Sequence, residues 1–88
     1  MYKIHARPNI DKIFLKLRKK NPKQLEIIYK KLKDIIINPN RYKNLRSPLN
    51  NWKRVHIDIH FVLVFSIDEH SKTIILEDYD HHDIIYNK

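Results

Sequence analysis

The chain has 88 residues, 42% of them hydrophobic and 32% charged, with a formal net charge of +8. That is material for one domain over residues 1–88 with one thin core, because domains usually take about 100 to 200 residues and a second core would be too small to hold. With no cysteine and no glycine, disulfide frames, reactive thiols, Cys-containing zinc fingers, P-loops, dinucleotide fingerprints and nucleophile elbows are all excluded.

YKIHA at 2–6 predicts a short strand, closed by Pro8 and Asn9, with Asn9 as the N-cap of a helix. Ile10, Ile13, Phe14 and Leu17 then recur at helical spacing, with Lys12, Lys16, Arg18, Lys19 and Lys20 elsewhere around the wheel. Asn21-Pro22 ends this helix and starts another, Asn as N-cap and Pro at the first helical position. Leu25, Ile28, Tyr29, Leu32, Ile35 and Ile36 carry the same period to Asn38-Pro39. So short a joint predicts an antiparallel helix hairpin.

Residues 39–51, PNRYKNLRSPLNN, have Pro, Asn and Ser at breaker density and read as loop. The period then changes to two. In KRVHIDIH (53–60), Val55, Ile57 and Ile59 are expected on one face and Arg54, His56, Asp58 and His60 on the other. FVLVFSI (61–67) is apolar on both faces and belongs at the centre of a sheet. Asp68 to Lys72 reads as a turn, TIILED (73–78) as the third strand of the meander, and YDHHDIIYNK as a short tail. The expected fold is α+β: a small, mostly antiparallel sheet with the helix hairpin packed on one face and a polar, histidine-bearing face left open.

Charge is unevenly placed. Residues 1–54 carry sixteen Lys/Arg against three acids, a balance of +13, and residues 55–88 carry two against seven, a balance of −5. The basic part calls for a polyanionic partner, with nucleic acid first, an acidic protein second and an anionic membrane last, since the basic helices have no Trp/Phe-rich insertion face. FVLVF is the longest apolar run, far short of the roughly 20 residues that span a bilayer, and MYKIHARPN has no signal-peptide core. The expectation is a cytoplasmic protein without a membrane partner.

Six histidines without cysteine pose the question of metal or acid/base chemistry. His81-His82-Asp83 with His56 or His60 would offer metal donors, but the spacing fits no zinc pattern, so no metal and no cofactor are expected. Imidazoles instead suit proton transfer near neutral pH. Metal-free RNA cleavage needs a base for the 2′-OH, an acid for the leaving 5′-oxygen and cations for the phosphate oxygens. His56, His60 and His82 supply the first two roles, Lys53 and Arg54 the third, and Phe61 and Tyr86 aromatic surface for an unpaired base. His5 and His70 read as plain surface residues, and Trp52 as a packing anchor for the loop.

PLNNWKRVHIDIHFVLVFSID, followed by a strand and then HHDIIY, resembles the RelE/ParE superfamily of toxins from type II toxin–antitoxin modules, most closely its YafQ-type branch. The resemblance is sharpest over Ser47 to Tyr86. It implies a RelE-like domain, a metal-independent endoribonuclease that cuts mRNA on the ribosome, and a RelB-like antitoxin partner, with a toxin–antitoxin heterotetramer as one form of the complex. His56 falls at the strand histidine of that pattern, and His82, four before Tyr86, at its histidine followed by a terminal aromatic. The chain departs from the pattern at Ser47, at His60-Phe61 and at Val62, which leaves open which imidazole is base and which acid, Tyr86 being counted with them. A gyrase-binding, ParE-like toxin and a basic RNA-binding module stay open as alternatives.

Overall fold

The computed structural model describes residues 2–87. Chain order is β1 (Lys3–Ala6), α1 (Pro8–Lys20), α2 (Pro22–Ile37), a 3-10 turn at Pro39–Arg41, β2 (Lys53–His56), β3 (Phe61–Asp68), β4 (Thr73–His81) and α3 (His82–Tyr86). The four strands form one sheet in the order β1-β4-β3-β2. β2, β3 and β4 pair antiparallel in sequence, and β1 adds to β4 in parallel, Lys3 opposite Thr73 and Ala6 opposite Leu76. A parallel neighbour needs a crossover, and the two helices provide it.

The α+β reading and the helix hairpin hold. α1 begins two residues earlier than expected, with Arg7 at the N-cap and Pro8 at the first helical position, where the missing N–H leaves no bond unmade. Asn9 therefore lies inside the first turn and donates its side-chain amide to the Glu77 carbonyl at 3.3 Å. At the second joint Asn21 caps as expected, its side-chain oxygen accepting the Gln24 N–H at 3.2 Å. Phe14 meets Tyr29 edge to face at 6.3 Å, the register of two antiparallel helices folded about Asn21.

One apolar layer lies between helices and sheet. Ile10, Leu25, Ile28, Leu32 and Ile35 pack on Leu63, Phe65, Ile74, Leu76 and Tyr79, each fully buried aliphatic or aromatic side chain stabilising by about 1.5–3 kcal/mol relative to exposure. Gln24, the one buried polar or charged residue among the described residues, donates its side-chain amide to the Tyr79 hydroxyl at 2.7 Å. Burial raises the Tyr79 pKa, partly offset by that bond and reinforced by Asp58. A second, smaller cluster covers the other sheet face: Leu45, Val62, Val64 and Ile85, with Leu49 and Trp52 beside them. The face expected to be open is thus half covered, by the 42–52 loop and by α3.

Two stretches differ from their expected form. β2 ends at His56, and residues 57–60 are a tight turn instead of more strand. The Asp58 carboxylate accepts the N–H groups of His60 and Phe61, both at 2.8 Å, and this local capping reverses the chain. Ile59, expected in the core, stands at the hairpin tip with 84% of its surface exposed. At the other end β4 runs on to His81, and the expected tail forms α3, with the His81 ring nitrogen Nδ1 accepting the Asp83 N–H at 3.2 Å.

Candidate functional site

Residues directly opposite in a ladder share a face. Arg54 pairs with Val64, which pairs with Asp78; His56 pairs with Val62, which pairs with Asp80. Arg54 and His56 therefore lie on the face away from the helices, beside the second apolar cluster. Ile85, 3% exposed, plugs α3 into that cluster. Helical spacing then puts His82 and Tyr86 on neighbouring turns, and α3 carries both to the edge of the same face.

Tyr86 is the meeting point. Its hydroxyl is 3.5 Å from His56 Nε2, and its ring lies 5.6 Å from the Arg54 guanidinium and 6.4 Å from the His82 ring. Arg54 is held by donation from Nη1 to the Asn44 carbonyl at 2.9 Å. Next to Tyr86 opens a cleft of about 530 Å³, walled by Leu45, Arg46, Ser47, Leu49, Arg54 and the end of α3. His56 and His82 are not in its walls; they contact Tyr86, which is. A cation, two imidazoles and a phenol around one cleft can hold an anion and move protons beside it.

Folding distributes the other sequence candidates differently. Lys53 pairs with Phe65 and so falls on the helix side, where its Nζ donates to the Tyr42 carbonyl at 3.1 Å and to Asn44 Oδ1 at 2.8 Å. Phe61 is also on that side, stacked on Tyr79 at 5.4 Å. His60 sits at the end of the hairpin turn with its ring stacked on His81 at 5.7 Å, so it is separated from His56 by the chain reversal. Folding thus gathers His56, His82, Tyr86 and Arg54, and leaves Lys53 and Phe61 on the far face.

One residue near the site, Arg46, was missed in the sequence, and His81 and Asp83 were read there only as metal donors whose spacing fits no zinc pattern. Arg46 lines the cleft from the loop, where its only signal is a cation just before Ser47-Pro48. His81 and Asp83 join His82 and His60 in a second group: His82 Nδ1 lies 2.9 Å from Asp83 Oδ1, and His81 Nδ1 lies 3.7 Å from Asp83 Oδ2. Ligand nitrogens of His60, His81 and His82 all lie within 4.8 Å of one another.

No family model matches the chain. Among curated relatives, a protein of Methanosarcina mazei is 63% identical over 86 residues, covering 98% of this chain and all of that protein. The Methanocaldococcus jannaschii protein named "Putative toxin RelE4" is 57% identical over 88 residues, covering all of this chain and 94% of its own length. Solved structures with the same fold include the heterotetrameric YoeB–YefM toxin–antitoxin complex of Staphylococcus aureus, TM-score 0.78 at 20% identity over 93% of this chain and 98% of that one. The RelBE2 toxin–antitoxin complex of Mycobacterium tuberculosis gives TM-score 0.77 at 22% identity over 92% and 98%. The fold is that of RelE-like toxins. By its full-length similarity to the M. jannaschii protein, the chain belongs to the RelE toxin family.

Proposed function

We propose that residues 1–88 act as a single toxin domain in the cytoplasm, a metal-independent endoribonuclease that cuts mRNA on the ribosome and so stops translation. The observation that carries this is the convergence of His56, His82 and Arg54 on Tyr86 beside the cleft. In this reading the Arg54 guanidinium neutralises the scissile phosphate, and the two imidazoles exchange protons with the 2′-OH and the leaving 5′-oxygen. Tyr86 positions His56 and offers its ring to a neighbouring base. The cleft opens at the surface, and in this reading much of the substrate positioning falls to the ribosome, which makes naked RNA a poor substrate.

The partner that silences the toxin is a RelB-like antitoxin, as the toxin–antitoxin complexes of the S. aureus and M. tuberculosis proteins suggest. Acidic antitoxin segments complement the +13 balance of residues 1–54, and a toxin–antitoxin heterotetramer is the assembly proposed by the same analogy.

Primer extension on a translated mRNA tests the nuclease reading. Wild-type protein cuts in the presence of EDTA, leaving 2′,3′-cyclic phosphate and 5′-hydroxyl ends, and His56→Ala, His82→Ala and Tyr86→Ala each slow single-turnover cleavage, the histidine variants by about 10² to 10⁴. Variants that stay folded and toxic with no RNA cut would transfer the protein to the gyrase-binding class.

A further inference from the structure

We propose that His60, His81 and His82 form a binding site for a transition-metal dication of the zinc class, and that filling it switches the neighbouring site off. The three imidazoles come from two distant stretches of chain, yet their ligand nitrogens gather within 4.8 Å. Backbone bonds hold this arrangement: the His82 N–H donates to the His60 carbonyl at 2.7 Å, and Phe61, next to His60, pairs with His81 across the ladder. The Cα positions are therefore set by the sheet end, and metal binding asks only for side-chain rotation. Nitrogens at about 2.0–2.1 Å from a tetrahedral ion stand roughly 3.3 Å apart, so no pair of these nitrogens needs to close by more than about 1.5 Å. His60 is exposed and the other two are half-buried, which leaves room for that movement and a path for the ion.

Asp83 supplies what metal-binding imidazoles usually need behind them. A histidine that gives its Nδ1–H to a carboxylate presents its Nε2 lone pair to the ion. His82 already has this geometry, at 2.9 Å from Asp83 Oδ1. His81 reaches it by exchanging its present bond from the Asp83 N–H for one to Oδ2, now 3.7 Å from its Nδ1. The cluster also sits in the part of the chain with a −5 balance, which favours a dication. Three imidazoles with open positions, and no thiolate, suit zinc, nickel or copper above magnesium or calcium.

The consequence for activity rests on the nuclease reading. An ion bound to His82 occupies the lone pair that the proposed reaction uses, and turns the ring away from Tyr86. The ion would thus be an inhibitor and not a participant.

The test titrates zinc into untagged protein, followed by calorimetry and by NMR of the histidine rings. One equivalent binds, the His60, His81 and His82 signals shift together, and those of His5 and His70 do not. His60→Ala and His81→Ala weaken binding at least tenfold, and Asp83→Ala weakens it about 10- to 100-fold. Absence of saturable binding, or wild-type affinity in both histidine variants, overturns the site. Cleavage is measured in parallel on translated mRNA, with and without zinc. Zinc bound with no slowing of cleavage overturns the switch. Zinc bound by a protein that never cuts RNA upholds the site and removes the nuclease reading instead.

Discussion

Truncating Ile85 tests whether the second apolar cluster is what places the catalytic candidates. Ile85→Ala removes three carbons from a side chain that is 3% exposed against Leu45, Val62 and Val64. At about 0.8 kcal/mol per methylene plus a cavity term, the loss is about 2–5 kcal/mol. Alanine's better helix propensity returns only a few tenths. α3 has five residues, too few to persist without its contacts, so the loss acts on docking of the whole helix. About 3 kcal/mol corresponds to roughly 10²-fold more undocking at 1.4 kcal/mol per decade. Global stability falls only until α3 lets go, after which nothing more is lost. The same truncation at Ile10, fully buried on the helix side, has no such ceiling and takes a large part of the about 4–13 kcal/mol expected for 88 residues. Hydrogen exchange at the His82 amide, bonded to the His60 carbonyl, reads the docking directly. It should accelerate about a hundredfold, with single-turnover cleavage down at least tenfold and a smaller shift in denaturant midpoint than Ile10→Ala gives. Full activity with an unprotected His82 amide would refute the claim that α3 must be docked; lost activity with normal protection would refute its mechanism.

Tyr79→Phe should lower the melting temperature by removing the hydroxyl to which the buried Gln24 amide donates, at a cost of about 1 kcal/mol. Adding Gln24→Leu should recover most of it, and a double variant no better than the single would contradict this account. Asp58 is desolvated, which raises its pKa, but N–H donation from Phe61 and His60, a side-chain hydrogen bond with Gln24 and the nearby His60 ring outweigh this and lower it. A lowered folded pKa means that its stabilisation is fully present above the unfolded carboxylate range and lost as pH falls from there through the lower folded pKa, so Asp58→Ala should flatten the acid limb of a stability profile. Unchanged steepness would exclude the capping role. Association with an acidic antitoxin should slow markedly between low and high salt, and a salt-independent on-rate in stopped-flow mixing would remove the electrostatic argument.

The helices were readable because their signals are local. Ile10 to Leu17 and Leu25 to Ile36 keep one period long enough to exceed noise, and Asn21-Pro22 is both stop and start. β4's parallel bond to β1 was not readable, since nothing in KIHA or TIIL says which edge receives the N-terminal strand. α3 was hidden for a related reason: five residues cannot show a period, and its helix exists through Ile85, whose partners Leu45 and Val62 come from elsewhere in the chain. FVLVFSI was correctly read as apolar on both faces, but what covers Val62 and Val64 depends on a loop with no pattern of its own.

Within the site, the separation of His60 from His56 has one origin. Alternation continues through KRVHIDIH, so Arg54, His56, Asp58 and His60 looked like one face, yet period two cannot distinguish a strand that continues from one that reverses with apolar residues in its turn. The distinguishing chemistry lies in Asp58, whose short carboxylate caps the His60 and Phe61 N–H groups and makes the reversal. The turn keeps the alternation, with Phe61 and Leu63 on the helix side as Val55 and Ile57 are before it, but it takes His60 away from His56 and brings it against the end of β4, where His81 and His82 wait. One aspartate thus divides a single apparent row of histidines into two sites: His56 with Arg54 and Tyr86, and His60 with His81 and His82. His82 belongs to both through α3, which is why an ion held by the second group is expected to control the first.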